Sequence, residues 1–395
     1  MDKDEFITIL KAHLAPVLKA TVNDLALASH RKHNMVAYIS HSEIALKPSP
    51  DADYRIVLTR IPGFTPEERK IAEDFVREMI CMHKVNAGDY KAELLSFLPM
   101  RAICRHLGSS DSIRKLLFQF DLWASRTYEG HSITASIGID HDATEGTVTL
   151  DEVFAHDFSA VLTNGFDTLM VVTPEGKIYR SGQLDGNESP QYAPYRMRNI
   201  ANWTTRTKIA VVLNQLGEQL VFRDKKLLFA KRRGVWMYYP HEQTLAQMQP
   251  PESRALRTAL YQSCLDVSYA RSGGCIGVVK SGNRRAVLEW IGDDDRLDAK
   301  SVSVKSKVIG AMVKTRFQSL DRRLRQELLG LDGAMILSHQ GDVLAVGAII
   351  SVPPGSGGGG RRAAAMRLSE LGLGIKISED GEIVGYKGRE IAYVT

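Results

Sequence analysis

The segment Pro353-Pro354-Gly355-Ser356-Gly357-Gly358-Gly359-Gly360-Arg361-Arg362 joins a run of glycines to two arginines and leads straight into Ala363-Ala364-Ala365, a helix start. Glycine lets the backbone approach an anion closely, a helix start offers unpaired N–H groups at the positive end of its dipole, and arginine adds fork-shaped donors. These residue types in this order suit phosphate, with a flexible surface loop as the plainer reading. The Gly-Lys-Ser/Thr ending of a P-loop is missing, so that class is disfavoured. Two further groups could take part. Asp332-Gly333-Ala334 stands at the mouth of an apolar run, where a carboxylate could hold Mg²⁺ and two minimal side chains could leave room for a ribose and phosphates, or where the pair could simply be a turn. Ser272-Gly273-Gly274 precedes another apolar run and could admit a base or ribose against the main chain, or cap a helix.

Together these groups, with Ile377-Ser378-Glu379 before a final hairpin, give a series that resembles the diadenylate cyclase domain over about residues 250–390. The resemblance implies two ATP-loaded domains facing each other and joining their nucleotides into cyclic di-AMP with release of pyrophosphate. It implies a homodimer or higher homo-oligomer, with Mg²⁺ or Mn²⁺ as cofactor. By the same resemblance the family's Asp-Gly-Ala falls on Asp332, Gly333 and Ala334, with Asp332 as metal ligand and activator of the ribose 3′-hydroxyl. The phosphate-holding Arg-His-Arg motif falls on Gly360, Arg361 and Arg362, so this chain matches it at Arg362 alone. Ser378 and Glu379 match a Ser-Glu pair near the metal or phosphates. The altered motif leaves a second reading open, a binding-only nucleotide receptor.

Other chemistries find little support. Asp140-His141-Asp142 has ligand-type side chains, but neighbours on an extended segment point to opposite faces, and a polar turn is expected. There is no His-Glu-x-x-His, Cys-x-x-Cys or Gly-x-Ser-x-Gly. Cys81, Cys104, Cys264 and Cys275 are scattered and expected to be reduced. Lys305, Lys307, Lys314, Arg316, Arg322, Arg323 and Arg325 read as a solvated basic face, as do Lys225, Lys226 and Lys231 to Arg233, and nucleic acid is not expected as a partner.

The elements that must position these groups belong to a chain of 395 residues, 44% hydrophobic and 25% charged with net charge +5, a composition suited to two or three globular domains. No apolar run is long enough to cross a bilayer and the first residues are acidic, so a cytoplasmic protein is expected. Residues 1–125 read as mainly helical, opening with an amphipathic run from Asp4 to about His30, then strands at 35–39 and 55–61. Thr65-Pro66-Glu67-Glu68 carries a capping box, and helices follow at 90–107 and 111–125. Residues 126–245 form a β-rich, sensor-like region with hairpin patterns at 169–180, 208–223 and 227–239. Pro240–Pro251 reads as a linker.

Residues 250–395 alternate helix and strand. Helices are expected at 252–271, 304–329 and 362–371, the middle one with an apolar stripe of Val308, Met312, Leu320, Leu324 and Leu328. Strands are expected at 274–280, 286–291, 334–338, 342–350, 373–378 and 382–386. The fold class is α/β: a C-terminal mixed-sheet sandwich preceded by an α+β region.

Overall fold

The computed structural model describes residues 1–28, 34–85, 88–108, 111–186, 188–251, 253–297, 303–352 and 359–395. Two compact units emerge, one of Met1–Ala193 with Met197–Tyr239, the other of Pro194–Arg196 with Pro240–Thr395.

In the first unit the expected 27-residue opening helix is shorter. Pro16 has no N–H to give the carbonyl of Ala12, and the helix opens into a π turn at Leu10–Leu14 just ahead of it. It ends at Leu18, where Lys19 turns left-handed at φ 50°. Thr21–Ala28 is then a strand, favoured by β-branched Thr21 and Val22 and paired antiparallel with Tyr54–Thr59. Together with Glu43–Leu46 and Val36–Ser40 these make a four-stranded sheet. The helix Pro66–His83 starts on the capping box read from sequence: Thr65 accepts from the Glu68 N–H, and the Glu68 carboxylate accepts from the Thr65 N–H.

A seven-stranded sheet runs in the order 235–238, 226–232, 219–223, 208–213, 135–140, 168–172, 178–183, parallel only between 135–140 and 168–172. Its apolar face and the N-terminal helices share one core, in which Phe75, Leu116 and Phe120 are buried along with Ile137, Val211 and Phe229. Residues 1–125 and 126–239 therefore fold as parts of one unit.

The second unit is α/β. Its six-stranded sheet has the order Val343–Ala348, Ala334–Ser338, Gly274–Val279, Gly372–Ile377, Ile383–Lys387, Glu390–Val394. Only the pair 274–279 and 334–338 is parallel. Glycines on one strand reveal the layers. A β-carbon on Gly277 would touch Leu368 of the helix Gly360–Ser369, whereas one on Gly274 would touch Val267 of Arg254–Ala270 and the Leu329 carbonyl of Arg322–Leu329. Residues 274 and 277 point to opposite faces of a strand, so helices cover both sides of the sheet.

Five expectations for this unit need correction. Residues 286–291 are not a strand. Arg284–Leu288 is a short helix, in keeping with its Arg, Ala and Leu content, and it buries Val287. The single helix at 304–329 is broken into Val304–Met312, a 3-10 turn at Phe317–Ser319 and Arg322–Leu329, because Asp321 caps a new start by accepting from the N–H groups of Arg323 and Leu324. Val308 and Met312, assigned to an apolar stripe, are exposed.

The basic face is not uniformly solvated either. Arg322 and Arg325 are buried, and Arg322 forms a two-pronged pair with Asp266 at 2.7 and 2.8 Å. The Asp266 carboxylate also accepts from the Tyr195 N–H at 2.7 Å, which ties Pro194–Arg196 into this unit. Finally, Pro240–Pro251 is more than a linker, since His241–Gln247 is a helix whose buried His241 ring nitrogen lies 2.8 Å from the Tyr261 hydroxyl.

Candidate functional site

Sheet register carries three of the sequence motifs to one place. Gly274 pairs with Ile377, and Ile276 with Met335 on the other side. Ser272-Gly273-Gly274, Asp332-Gly333-Ala334 and Ser378-Glu379 therefore lie at the same end of three adjacent strands. Two strand spacings separate the Asp332 and Glu379 strands, about 10 Å.

The helix Gly360–Ser369 brings the fourth. Arg361 donates from Nη1 to Glu379 Oε1 at 2.8 Å, and the same Nη1 would lie 2.5 Å from a β-carbon on Gly273. Gly273 is held at φ +65°, and Arg271 just before it closes the helix Arg254–Ala270 in the left-handed region. The cap is thus Arg271, and the bare face of Gly273 is spent on the Arg361 guanidinium. Arg271 also reaches over, donating from Nη1 to the Glu379 carbonyl at 3.1 Å.

Consecutive helix residues diverge by about 100°. Arg362 is accordingly turned away from Gly273 and stands beside Tyr386, where burial raises the phenol pKa and the Arg362 charge pulls it down. The residue that joins the cluster is Arg361. Gly359, at φ +81°, has no side chain to cap the helix, and among the described residues nothing lies within 4 Å of where a β-carbon on Gly359 or Gly360 would stand. Among the described residues no side chain caps the first-turn N–H groups of this helix. The rest of the expected phosphate loop, Pro353 to Gly358, lies outside the described residues.

Asp332 is exposed, and its Oδ1 accepts from the Gly333 N–H at 3.0 Å. Among the described residues its carboxylate makes no ion pair. Gly333 needs its missing side chain for the fold: at φ +99° a β-carbon would fall 2.5 Å from the Gly347 carbonyl carbon. The space expected to receive a ribose at Gly333 is filled by backbone. Ala334 is buried and pairs with Ala348.

A neighbouring cluster had no local signal in the sequence. Lys305 Nζ donates to the Gly347 carbonyl at 2.6 Å and pairs with Asp295 at 2.6 Å, while the other Asp295 oxygen accepts from the Ile349 N–H. A β-carbon on Gly347 would lie 2.8 Å from the Asp332 carbonyl oxygen and 3.3 Å from Lys305 Nζ, so the ammonium lies near the main chain of Asp332. Lys305 lies about ten residues from Asp295 and about forty from Gly347, and only the fold unites all three.

Ser378 completes the edge. Its Oγ is buried with no hydrogen-bond partner among the described residues. A group in that condition costs about 1–3 kcal/mol until something pairs with it. Cys275, one residue into the strand, has its thiol pushed up to about 12 by burial against a weaker opposing pull from Arg361, so it is not a nucleophile. Among the described residues no three His, Cys, Asp or Glu side chains are placed to hold a metal ion. The site thus offers one free carboxylate, one half-buried guanidinium, an unpaired hydroxyl and an uncapped helix start.

Asp140-His141-Asp142 takes no part in it, since Asp140 pairs with Lys208 and Asp142 accepts from Thr207 in the first unit.

No family model matches the chain, and no curated protein matches it. Among solved structures, a hypothetical membrane spanning protein from Bacillus cereus is 17% identical over 39% of this chain and 69% of its own, with a TM-score of 0.29. DacA from Staphylococcus aureus, as a double mutant, is 17% identical over 39% of this chain and 87% of its own, with a TM-score of 0.25. Scores of this size do not establish a shared fold. Among the described residues no helix is long and apolar enough to cross a membrane.

Proposed function

We propose that the second unit binds ATP at this sheet edge and that two copies, facing each other, condense two ATP molecules into cyclic di-AMP. The observation that carries the reading is the meeting of Gly273, Arg361 and Glu379, with Asp332 and Ser378 at the same end of the sheet. The protein would be a nucleotidyltransferase working in the cytoplasm as a homodimer or higher homo-oligomer, with the first unit as its regulator.

The chemistry asks for positioning and charge neutralisation more than for covalent help. The 3′-hydroxyl oxygen of one ATP attacks the α-phosphorus of the other, the bond from that phosphorus to the bridging oxygen of the β-phosphate breaks, and pyrophosphate leaves. The reciprocal attack closes the ring. Each attacking hydroxyl gives up its proton, and Asp332 is the carboxylate available to take it. Arg361 is held by Glu379 in a solvent-exposed pair worth no more than about 1 kcal/mol, so a triphosphate can draw it away. The first-turn N–H groups of the helix Gly360–Ser369 and the Ser378 hydroxyl supply further donors.

Mg²⁺ or Mn²⁺ fits the donor set, because a single free carboxylate together with substrate phosphates is the usual holding arrangement for Mg²⁺. Asp332 would hold it through the oxygen that Gly333 leaves free. The bound ion would neutralise charge on the phosphates.

One observation favours the second reading, a nucleotide receptor without turnover: Gly360 offers no side chain where the related motif has its first arginine, and Arg361 is already engaged. Incubation with ATP and Mn²⁺, followed by mass spectrometry of wild type and Asp332→Asn, separates the two. Cyclic di-AMP from wild type alone supports turnover, and bound, unreacted ATP in both supports the receptor.

A further inference from the structure

The first unit carries a cleft of about 310 Å³ that the reading above does not use. Its apolar walls include Phe97, Met100 and Trp236, and its polar side chains are His13, Ser96, Asp121 and Lys231. Lys231 Nζ lies 2.5 Å from Asp121 Oδ1, and the Gln219 amide donates to the same oxygen, so a fixed ion pair of partly buried groups lines the cavity. His13 sits in the π turn Leu10–Leu14, a local geometry frequent at functional sites. Among the described residues its imidazole has no hydrogen-bond partner, and burial lowers its pKa, which keeps it neutral and able both to donate and to accept.

The charges limit the occupant. A ligand with one charge would have to break the Asp121–Lys231 pair and leave one of the two ions without a counter-ion in a partly desolvated place, an expensive outcome. A zwitterion exchanges the pair one for one, its carboxylate going to Lys231 and its ammonium to Asp121. Apart from His13 and Ser96 the remaining side chains are aromatic or apolar, and the volume is at the small end of the range for ligand sites, suited to a compact molecule. We propose that this cleft binds a free α-amino acid with an apolar side chain. The ammonium and carboxylate replace the internal ion pair, and the side chain lies against Phe97, Met100 and Trp236.

Titration calorimetry on the full chain tests this with L-phenylalanine, L-leucine and L-tryptophan, and with 3-phenylpropionate and phenethylamine as the two single-charge halves of phenylalanine. At least one amino acid should bind in the millimolar range or tighter, and each half should bind at least tenfold more weakly than phenylalanine. Asp121→Asn frees Lys231 and should reverse the order in favour of 3-phenylpropionate. Lys231→Met should reverse it in favour of phenethylamine. A reversal of preference cannot come from a misfolded variant. Halves that bind as well as phenylalanine, no heat from any of the three amino acids, or variants that merely weaken every ligand alike would each overturn the proposal.

Discussion

The guanidinium of Arg361 fills the place where Gly273 would carry a side chain, with Nη1 2.5 Å from that position. A glycine on a strand approach and an arginine almost ninety residues later thereby become one feature, and Glu379 closes it from the far side. The order of the sheet makes the meeting possible, since the strands leading to Gly274 and from Ile377 are hydrogen-bonded neighbours.

Gly273→Ala should injure the site more than the fold. The left-handed backbone at Gly273 penalises any side chain by about 1 kcal/mol, a shift of a few degrees in the unit's melting temperature. Displacement of Arg361 should lower ATP affinity by about tenfold or more, as expected when a charged hydrogen bond to phosphate is lost. Fluorescence titration with a labelled ATP analogue, beside a thermal melt, reads both effects.

Arg361 and Arg362 should not be equivalent. Arg361→Met should cost about tenfold or more in ATP affinity, whereas Arg362→Met should cost little, because its side chain stands beside Tyr386. Glu379→Gln, which releases Arg361 from its ion pair, should leave ATP binding intact or strengthen it. Equal losses from both arginine variants would contradict the assignment.

These contacts also mark what sequence can and cannot disclose. The capping box at Thr65 and Glu68 and the hairpins of the first unit are legible because each is written in a few neighbouring residues. The choice between Arg361 and Arg362 depends on the phase of a helix against a sheet, which no local pattern fixes. The Lys305–Asp295–Gly347 cluster joins segments about ten and forty residues apart, and the Asp321 cap looked like one polar residue within a long helix. The edge strand Glu390–Val394 escaped notice because its burial rests on Tyr393, whose ring covers Gly385.

The buried pair of Arg322 with Asp266 should matter greatly for the second unit. Removing one member leaves the other charge uncompensated, a loss of about 3–5 kcal/mol. Arg322→Met should therefore lower the urea midpoint of this unit sharply. The Asp266→Leu, Arg322→Met double variant should recover part of that loss, because no buried charge remains.

His106 makes the first unit sensitive to pH. Burial alone would lower its pKa, but hydrogen bonds from both ring nitrogens to Asp74 and Glu67 outweigh burial and raise it above 6.5. A raised histidine pKa adds stability that is complete below about 6.5 and is lost as pH climbs through the folded-state value. Glu67, held below its ordinary range chiefly by His106, contributes the opposite way: its share is present above about 4.5 and is lost as pH falls through its lowered value. Urea unfolding of wild type and His106→Gln should therefore differ most near pH 6 and converge toward pH 9.

Two copies of the second unit must meet for the proposed condensation, so product formed per protomer should rise with protein concentration until the dimer is saturated. Asp332→Asn mixed with wild type should depress the yield beyond its share of the mixture, because a mixed pair holds one damaged half-site. A rate per protomer that stays constant on dilution to the monomer, measured beside sedimentation, would rule out the two-copy mechanism.

The most direct test of the central claim is product analysis. Purified protein is incubated with ATP and Mn²⁺ or Mg²⁺, and the nucleotides are resolved by mass spectrometry alongside Asp332→Asn and Arg361→Met. Wild type should yield cyclic di-AMP and pyrophosphate, and both variants should be reduced by at least a hundredfold. Unchanged ATP and no cyclic di-AMP from the wild-type protein under these conditions would contradict it outright.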